Sequence, residues 1–378
     1  MHEFGVAMVE TARHSTSGSA TTSGSGSPAH AASFSEPHEY RDAERTLAKL
    51  LDEMRRGRLP TSLLPLVNDF HMEVNADASR RCHVLELSHD VIEAVFDGLA
   101  DPLQPVVAVT FSSTCKGLRT PLRAALEVLR ERHARAAALC RKVHSSGGPC
   151  SCTLLRDEHE LQWSDKDLTA DDMATLGMIL RTNGLPRLRR LLLSENDLCD
   201  AGMQALCEGL GHGCAPTLRD LHLDEAKFGA AGAEALAAAL QRCTMADLEV
   251  LNIEMNPIGN RGVATLTVPL RRLPNLQLLS LSNCEIGDEG VASLMANLGK
   301  EDFKALKLLQ LELSAAEGFT DAGCATLELA LRNGGMPRLH TLDLAGEPGE
   351  NAASQGAINA VLSVLRARHA AAVAPELD

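Results

Sequence analysis

Few residues in this chain have types and spacings that could do chemistry. Cys150-Ser-Cys152 offers two sulfur ligands that would need two more from elsewhere to enclose a metal ion. His222, Asp224 and Glu254 form a second donor set, because on paired strands two of them would share one face and the third would lie beside them. No Gly-x-x-x-x-Gly-Lys-Ser/Thr loop, His-Glu-x-x-His, Gly-x-Ser-x-Gly or zinc-finger spacing occurs. Gly209-Leu-Gly211-His-Gly213 ends a helical pattern instead of following a strand, so it is no dinucleotide fingerprint. The expectation is a protein without enzyme activity, catalytic residues, cofactor or resident metal.

The composition narrows the partners. Aromatic residues make up 3% of the 378 residues, with Trp163 and Tyr40 the sole Trp and Tyr, so there is no stacking platform for bases. The formal charge of −14 also disfavours phosphate-backbone binding. Nucleic acid is therefore not an expected partner. No stretch approaches a membrane-spanning length and the start has no secretory pattern, so no membrane partner is expected either. Eleven Cys without a Cys-x-x-Cys pair read as reduced thiols, which points to the cytoplasm, the nucleus or both. The charge is unevenly placed: residues 1–155 hold 17 Lys+Arg against 18 Asp+Glu, and residues 156–378 hold 19 against 32.

The elements that would position these residues come from an internal repeat. Leu-x-x-Leu-x-Leu returns from Leu188, Leu218, Leu248, Leu276, Leu306 and Leu339, at periods of 30, 30, 28, 30 and 33. Each hexad is followed by a turn, a Gly (Gly202, Gly232, Gly262, Gly290, Gly323, Gly356) and apolar residues at helical spacing. One unit is thus a short strand plus a helix, and only stacking of neighbours can bury its apolar side. Pro269 is expected to trim the helix of the 28-residue unit.

This pattern resembles the leucine-rich repeat family, in particular the long helix-bearing repeats of the ribonuclease inhibitor and Ran GTPase-activating protein type. Asn196, Asn256 and Cys284 occupy the Asn/Cys position of the motif, where a buried side chain caps loop backbone. A degenerate earlier unit fits Leu161, Trp163, Leu168, Leu176 and Leu180, with Trp163 as a core plug and Asp172 in place of Gly. The resemblance implies an α/β solenoid, a horseshoe of short parallel strands with helices on the convex side.

Alternation along each strand then predicts the inner face: Arg190, Leu192, Ser194; Asp220, His222, Asp224; Val250, Asn252, Glu254; Leu278, Ser280, Ser282; Leu308, Gln310, Glu312; Thr341, Asp343, Ala345, with Glu195 and Glu225 one residue beyond. Of these, Arg190, Asp220, His222, Asp224, Asn252, Glu254, Leu278, Ser282, Gln310, Glu312 and Asp343 are the candidate contacts for a client protein. Asp224 and Glu254 are expected side by side about 4.8 Å apart, a crowding of charge that a basic segment of the client would relieve. The last two units have loops three residues longer, at Ser314 to Gly318 and Gly346 to Ala352, which would project from one edge.

The first half reads as a disordered Ser/Gly/Ala-rich tail over 1–38 and a helical region over 39–155, followed by the solenoid over 156–370 and a tail over 371–378. Leu47, Leu50, Leu51 and Met54 define an amphipathic helix ended by Pro60. In residues 84–126, Leu87, Ile92, Phe96 and Leu99 and then Ser112, Cys115, Lys116, Leu118 and Arg119 resemble an F-box. That resemblance implies a Skp-type adaptor bound through Leu87, Ile92, Phe96 and Leu99, with the repeats acting as substrate receptor of a ubiquitin ligase. Leu-Ser stands where the pattern has Leu-Pro, and a helical cap on the first repeat is the alternative. Residues 116–144 carry eight Lys+Arg against two Glu, as a linker helix with a basic face or a contact for an anionic surface. The Ran GTPase-activating protein likeness leaves a third alternative, a regulator of a small GTPase.

Overall fold

A computed structural model describes residues 89–113, 116–144, 152–210, 215–242, 245–299, 301–311, 318–344 and 353–373. The expected tail, the helix ended by Pro60, Leu87, Cys150, Glu312 and nearly all of the two long loops lie outside these residues.

Helices come first: α1 (His89–Leu99), α2 (Val106–Ser113), α3 (Lys116–Arg119), α4 (Arg123–Val143) and α5 (Cys152–Leu155). Strands and helices then alternate as β1 (Glu160–Gln162), α6 (Ala170–Asn183), β2 (Arg190–Leu192), α7 (Cys199–Leu210), β3 (Asp220–His222), α8 (Ala230–Arg242), β4 (Val250–Asn252), α9 (Gly259–Arg271), β5 (Leu278–Ser280), α10 (Asp288–Met295), β6 (Leu308–Gln310), α11 (Asp321–Arg332), β7 (Thr341–Asp343) and α12 (Gln355–Val373). The strands form one parallel sheet in chain order. Register follows the repeat, with Leu191 opposite Leu221, Leu221 opposite Leu251 and Leu251 opposite Leu279. The paired apolar positions, such as Leu191 with Leu193 and Leu251 with Ile253, are buried against the helices, as is Trp163. Pro269 does not trim its helix: α9 runs through it to Arg271 and has 13 residues, like α8. A proline in the last turn forfeits one backbone bond near an end that would fray anyway.

Two sets of side chains tie neighbouring repeats together. In the first, Asn196 Oδ1 accepts from the N–H groups of Lys166 and Leu168 at 3.1 and 2.9 Å, while its amide donates to the carbonyls of Trp163, Leu193 and Ser194. Asn256 makes the same five bonds one two-repeat step further on, to Ala226, Phe228, Leu223, Ile253 and Glu254. The intervening loops are closed by backbone instead: Leu198 and Cys199 donate to the Ala226 carbonyl, and Gly259 donates to that of Cys284. The dihedrals alternate accordingly. Left-handed residues pair as Asp165 with Asp167 and Glu225 with Lys227 in the Asn-capped loops, but as Glu195 with Cys199 and Met255 with Gly259 in the others.

The second set lies at the helix starts. Asp200 accepts from the N–H groups of Gly229 and Gly232, Asn260 from those of Gly287 and Gly290, Asp288 from Thr320, and Asp321 from Ser354. Each first-turn side chain caps the orphan donors of the next helix, where an oxygen also meets the positive end of the helix dipole. Room for this contact explains the repeat glycine, since a Cβ on Gly290 would sit 2.6 Å from Asn260 Oδ1.

Helix α4 belongs to two cores. Its first half, with Leu126 and Leu129, packs with Ile92, Phe96, Leu99, Phe111, Leu118 and Leu122. Its second half, with Ala136, Leu139, Cys140 and Val143, joins the solenoid core and lies on α6. Lys142 bonds the Asp167 carbonyl at 2.6 Å and the Asp172 carboxylate at 2.7 Å. A buried ion pair between Arg156 and Asp101 joins the segment before β1 to the turn after α1. The solenoid therefore does not end in a bare apolar edge at β1 and α6. At the other end α12 packs on α11.

Candidate protein-interaction surface

Inward-pointing leucines hold the sheet, so the alternate side chains must line its open face, and the structure places most of the expected contacts there. Arg190 is exposed and bridges its two neighbours, reaching Glu160 at 3.2 Å and Asp220 at 3.1 Å. His222, Asn252, Leu278, Gln310 and Asp343 are half-buried on the same face. Asp224 and Glu254 also lie on it, in adjacent register beyond β3 and β4, because Leu223 N–H bonds the Asn252 carbonyl and Glu225 N–H bonds that of Glu254.

Two expectations for this face are corrected. The carboxylates are not crowded without relief: Asp224 Oδ1 accepts from Ser194 Oγ at 2.7 Å and Asn252 Nδ2 at 3.0 Å, and Glu254 accepts from Ser280 Oγ at 3.3 Å. Neutral donors interleaved between the acids share their charge. These bonds engage one oxygen each of Asp224 and Glu254 in the His222, Asp224 and Glu254 donor set, and among the described residues no group of three or more His, Cys, Asp or Glu is placed to hold a metal ion. Ser282 is not a client contact, since it is 1% exposed, as is Ser280. Small side chains at these positions sink between the bulkier residues of adjacent strands.

The less compensated charge lies one residue further along each unit. Asp165, Glu195, Glu225, Met255 and Asn283 all have left-handed backbone, with φ between 50 and 58°. The N–H groups of the first four donate to the next repeat's chain at Ser194, Asp224, Glu254 and Ser282, adding a rung beyond each strand before the chain turns away. A left-handed residue other than glycine costs about 1–2 kcal/mol. Its side chain is thrown outward at the C-terminal edge of the sheet, and Asp165, Glu195 and Glu225 are exposed there. None of these three carboxylates has an ion pair or side-chain hydrogen bond among the described residues. Asp167, Asp197 and Glu285 extend the acidic rim, with Lys227 lying 3.4 Å from Asp197. The opposite edge is neutralised by a chain of contacts through Arg219, Glu249, Gln277 and Lys307. Alternation along a strand does not reach this rim, because its residues have left the strand; the signal was the acids just past the first two hexads, Glu195 and Glu225, one residue beyond the face.

The adaptor contacts expected near the N-terminus are also relocated. Ile92, Phe96 and Leu99 are 6, 1 and 1% exposed, forming the interior of the α1–α4 cluster instead of a surface. Helices that short can cohere only by pooling their few large apolar side chains. On α2 it is Val106 that faces outward, at 62% exposure.

Three stretches, residues 214–237, 244–266 and 272–295, match the leucine-rich repeat family model; they cover the units around β3, β4 and β5. With the parallel sheet and its capping asparagines, this defines the class of the molecule: an α/β leucine-rich repeat solenoid, a scaffold of the kind that binds proteins. No curated protein matches the chain. Among the described residues no helix is long and apolar enough to cross a membrane.

Proposed function

We propose that the solenoid holds a client protein through a Lys/Arg-rich segment laid along the open face and the acidic rim. The observation that supports this reading is the row of Asp165, Glu195 and Glu225, whose carboxylates are exposed and uncompensated while the acids deeper on the face are already hydrogen-bonded. A surface of this kind steers and orients a basic partner more than it adds raw affinity.

The test compares proteins captured by the tagged parent with those captured by Asp165→Lys/Glu195→Lys/Glu225→Lys. Clients lost from the folded variant should share a basic segment, and that segment should bind the purified parent with an affinity that falls as salt rises. Equal capture by parent and folded variant refutes the rim. A small GTPase among the partners, with nucleotide hydrolysis accelerated by this protein, would favour the Ran GTPase-activating-protein-like reading instead.

A second reading rests on the packed helices α1, α2 and α3, the arrangement the F-box resemblance requires. With Ile92, Phe96 and Leu99 inside, a Skp-type adaptor would have to meet the exposed side of α2. Loss of a co-purifying adaptor in Val106→Asp would support a ubiquitin-ligase receptor. An adaptor that never co-purifies leaves these helices as the cap of the solenoid.

A further inference from the structure

The first half of α4, with the turn before it, presents a basic line to solvent. Arg119, Arg123 and Arg130 are exposed, and none has an ion pair or side-chain hydrogen bond among the described residues. Leu122 N–H bonds the Leu118 carbonyl and Arg123 N–H bonds that of Thr120, so helical winding continues across the junction of α3 and α4. Arg119 therefore stands about one turn before Arg123, and Arg130 about two turns after it, on one side. Glu127 is the one acid on that line, which leaves an excess of positive charge. Other cations of α4 are engaged: Arg135 pairs with Glu131, and Lys142 with Asp172.

We propose, resting on the reading of the rim as a seat for basic groups, that this face of α4 docks on Asp165, Glu195 and Glu225 of a second copy of the chain.

Charge and dimensions match. Asp165 and Glu225 belong to repeats two strand spacings apart, about 10 Å, and Arg123 and Arg130 are separated by about 10 Å of helix. The helix cannot serve its own rim. Lys142 Nζ bonds the Asp167 carbonyl at 2.6 Å, which fixes the last turn of α4 beside the rim. Arg130 and Arg123 lie about 18 and 28 Å back along the axis from that turn. Packing on α6 holds α4 in place, so both side chains stay out of reach of the carboxylates they complement and meet such a row on another molecule.

Sedimentation velocity of the full chain over about a hundredfold range of concentration tests the contact at about 0.1 M salt. Screening over about 10 Å then suppresses the long-range repulsion between two chains of formal charge −14 but not the attraction of touching charges. The sedimentation coefficient of the parent should rise with concentration. Reversing either surface, by Arg119→Glu/Arg123→Glu/Arg130→Glu or by Asp165→Lys/Glu195→Lys/Glu225→Lys, should raise the concentration needed at least about tenfold. Mixing the two variants should restore association, because each supplies the charge the other lacks. Arg123→Lys/Arg130→Lys, which keeps every charge, is mixed with its nitrogen-15-labelled form and treated with a carbodiimide; the introduced amines should couple to rim carboxylates in peptide pairs of mixed isotope. This last measurement decides the matter if a reversed variant fails to fold. A parent that stays monomeric, association that survives either reversal, folded variants that do not associate when mixed, or the absence of mixed-isotope links would each overturn the proposal. A monomeric parent that still loses clients on rim reversal removes the self-contact and leaves the client reading standing, whereas rescue on mixing with client capture unchanged by rim reversal does the opposite.

Discussion

Replacing Asn196 by alanine would remove an almost fully buried amide that serves five backbone groups. The buried N–H of Leu168 loses its acceptor, at a cost of about 1–3 kcal/mol. Lys166 N–H, nearer the surface, can turn to water, and the carbonyls lose one of two acceptor sites each. A total of about 2–3 kcal/mol follows. With a urea dependence of about 2–3 kcal/mol/M, the midpoint falls by about 1 M. The assay has a built-in local reporter, because Trp163 is the sole tryptophan and its own carbonyl accepts from Asn196. Neighbour-to-neighbour coupling in a repeat array makes the loss local first. Trp163 fluorescence should lose its structure about 1 M earlier in urea, ahead of the far-ultraviolet circular dichroism of the other repeats. Asn256→Ala, with the same five bonds nearer the middle, should lower both signals together. A Trp163 midpoint within about 0.2 M of the parent for a cleanly folded Asn196→Ala would refute the reasoning, because the loop would then have found other partners.

Two further predictions concern helix contacts. In Gly209→Ala the new Cβ would fall 2.6 Å from the Gly177 Cα, so α6 and α7 must separate; a loss of about 1–3 kcal/mol is expected in a thermal melt, and an unchanged melting temperature counts against the close crossing. Asp172 feels burial, which raises its pKa, but the bonds from Lys142 and from the backbone and hydroxyl of Thr169 prevail and hold it below the ordinary carboxylate value of 3.8. With the folded pKa depressed, the stabilisation is complete above the unfolded value and is lost as pH falls through the folded one. Asp172→Asn should therefore lower the melting temperature at neutral pH and flatten its decline below about pH 4, and parallel curves for parent and variant would exclude this contribution.

Legibility in the sequence tracked the periodicity of each interaction. Leucines that recur with the strand and helix periods point to one core, so the solenoid, its register, the Trp163 plug and the Asn196, Asn256 and Cys284 positions could be read directly. Side chains that act between repeats were harder. Asp200, Asn260, Asp288 and Asp321 recur, yet a polar residue in a first helical turn is ordinary, and only the packed structure reveals that it serves the next helix instead of its own. Strand alternation put Ser282 on the open face, since it counts direction but not the depth to which a small side chain sinks. Ile92, Phe96 and Leu99 look the same in sequence whether they face a partner or one another. Which of these happens depends on α4 supplying Leu126 and Leu129, which follow Arg119, the last residue that carries the resemblance.

The alternating closure of the loops has a consequence for how such a chain can be lengthened or shortened. In the four loops that follow β1 to β4, Asn196 and Asn256 close the first and third through a side chain, while Ala226 and Cys284 close the second and fourth through main chain, and Cys199 and Gly259 take the left-handed bend that the second kind of closure uses. Removing a single unit of about 30 residues would bring two loops of one kind together, so that a backbone shaped for one closure would face the other. Excising or duplicating two adjacent units among these would preserve the alternation of closures. The natural module for recombination, and for any idealised version of this scaffold, is thus the pair, even though the leucines advertise the single repeat.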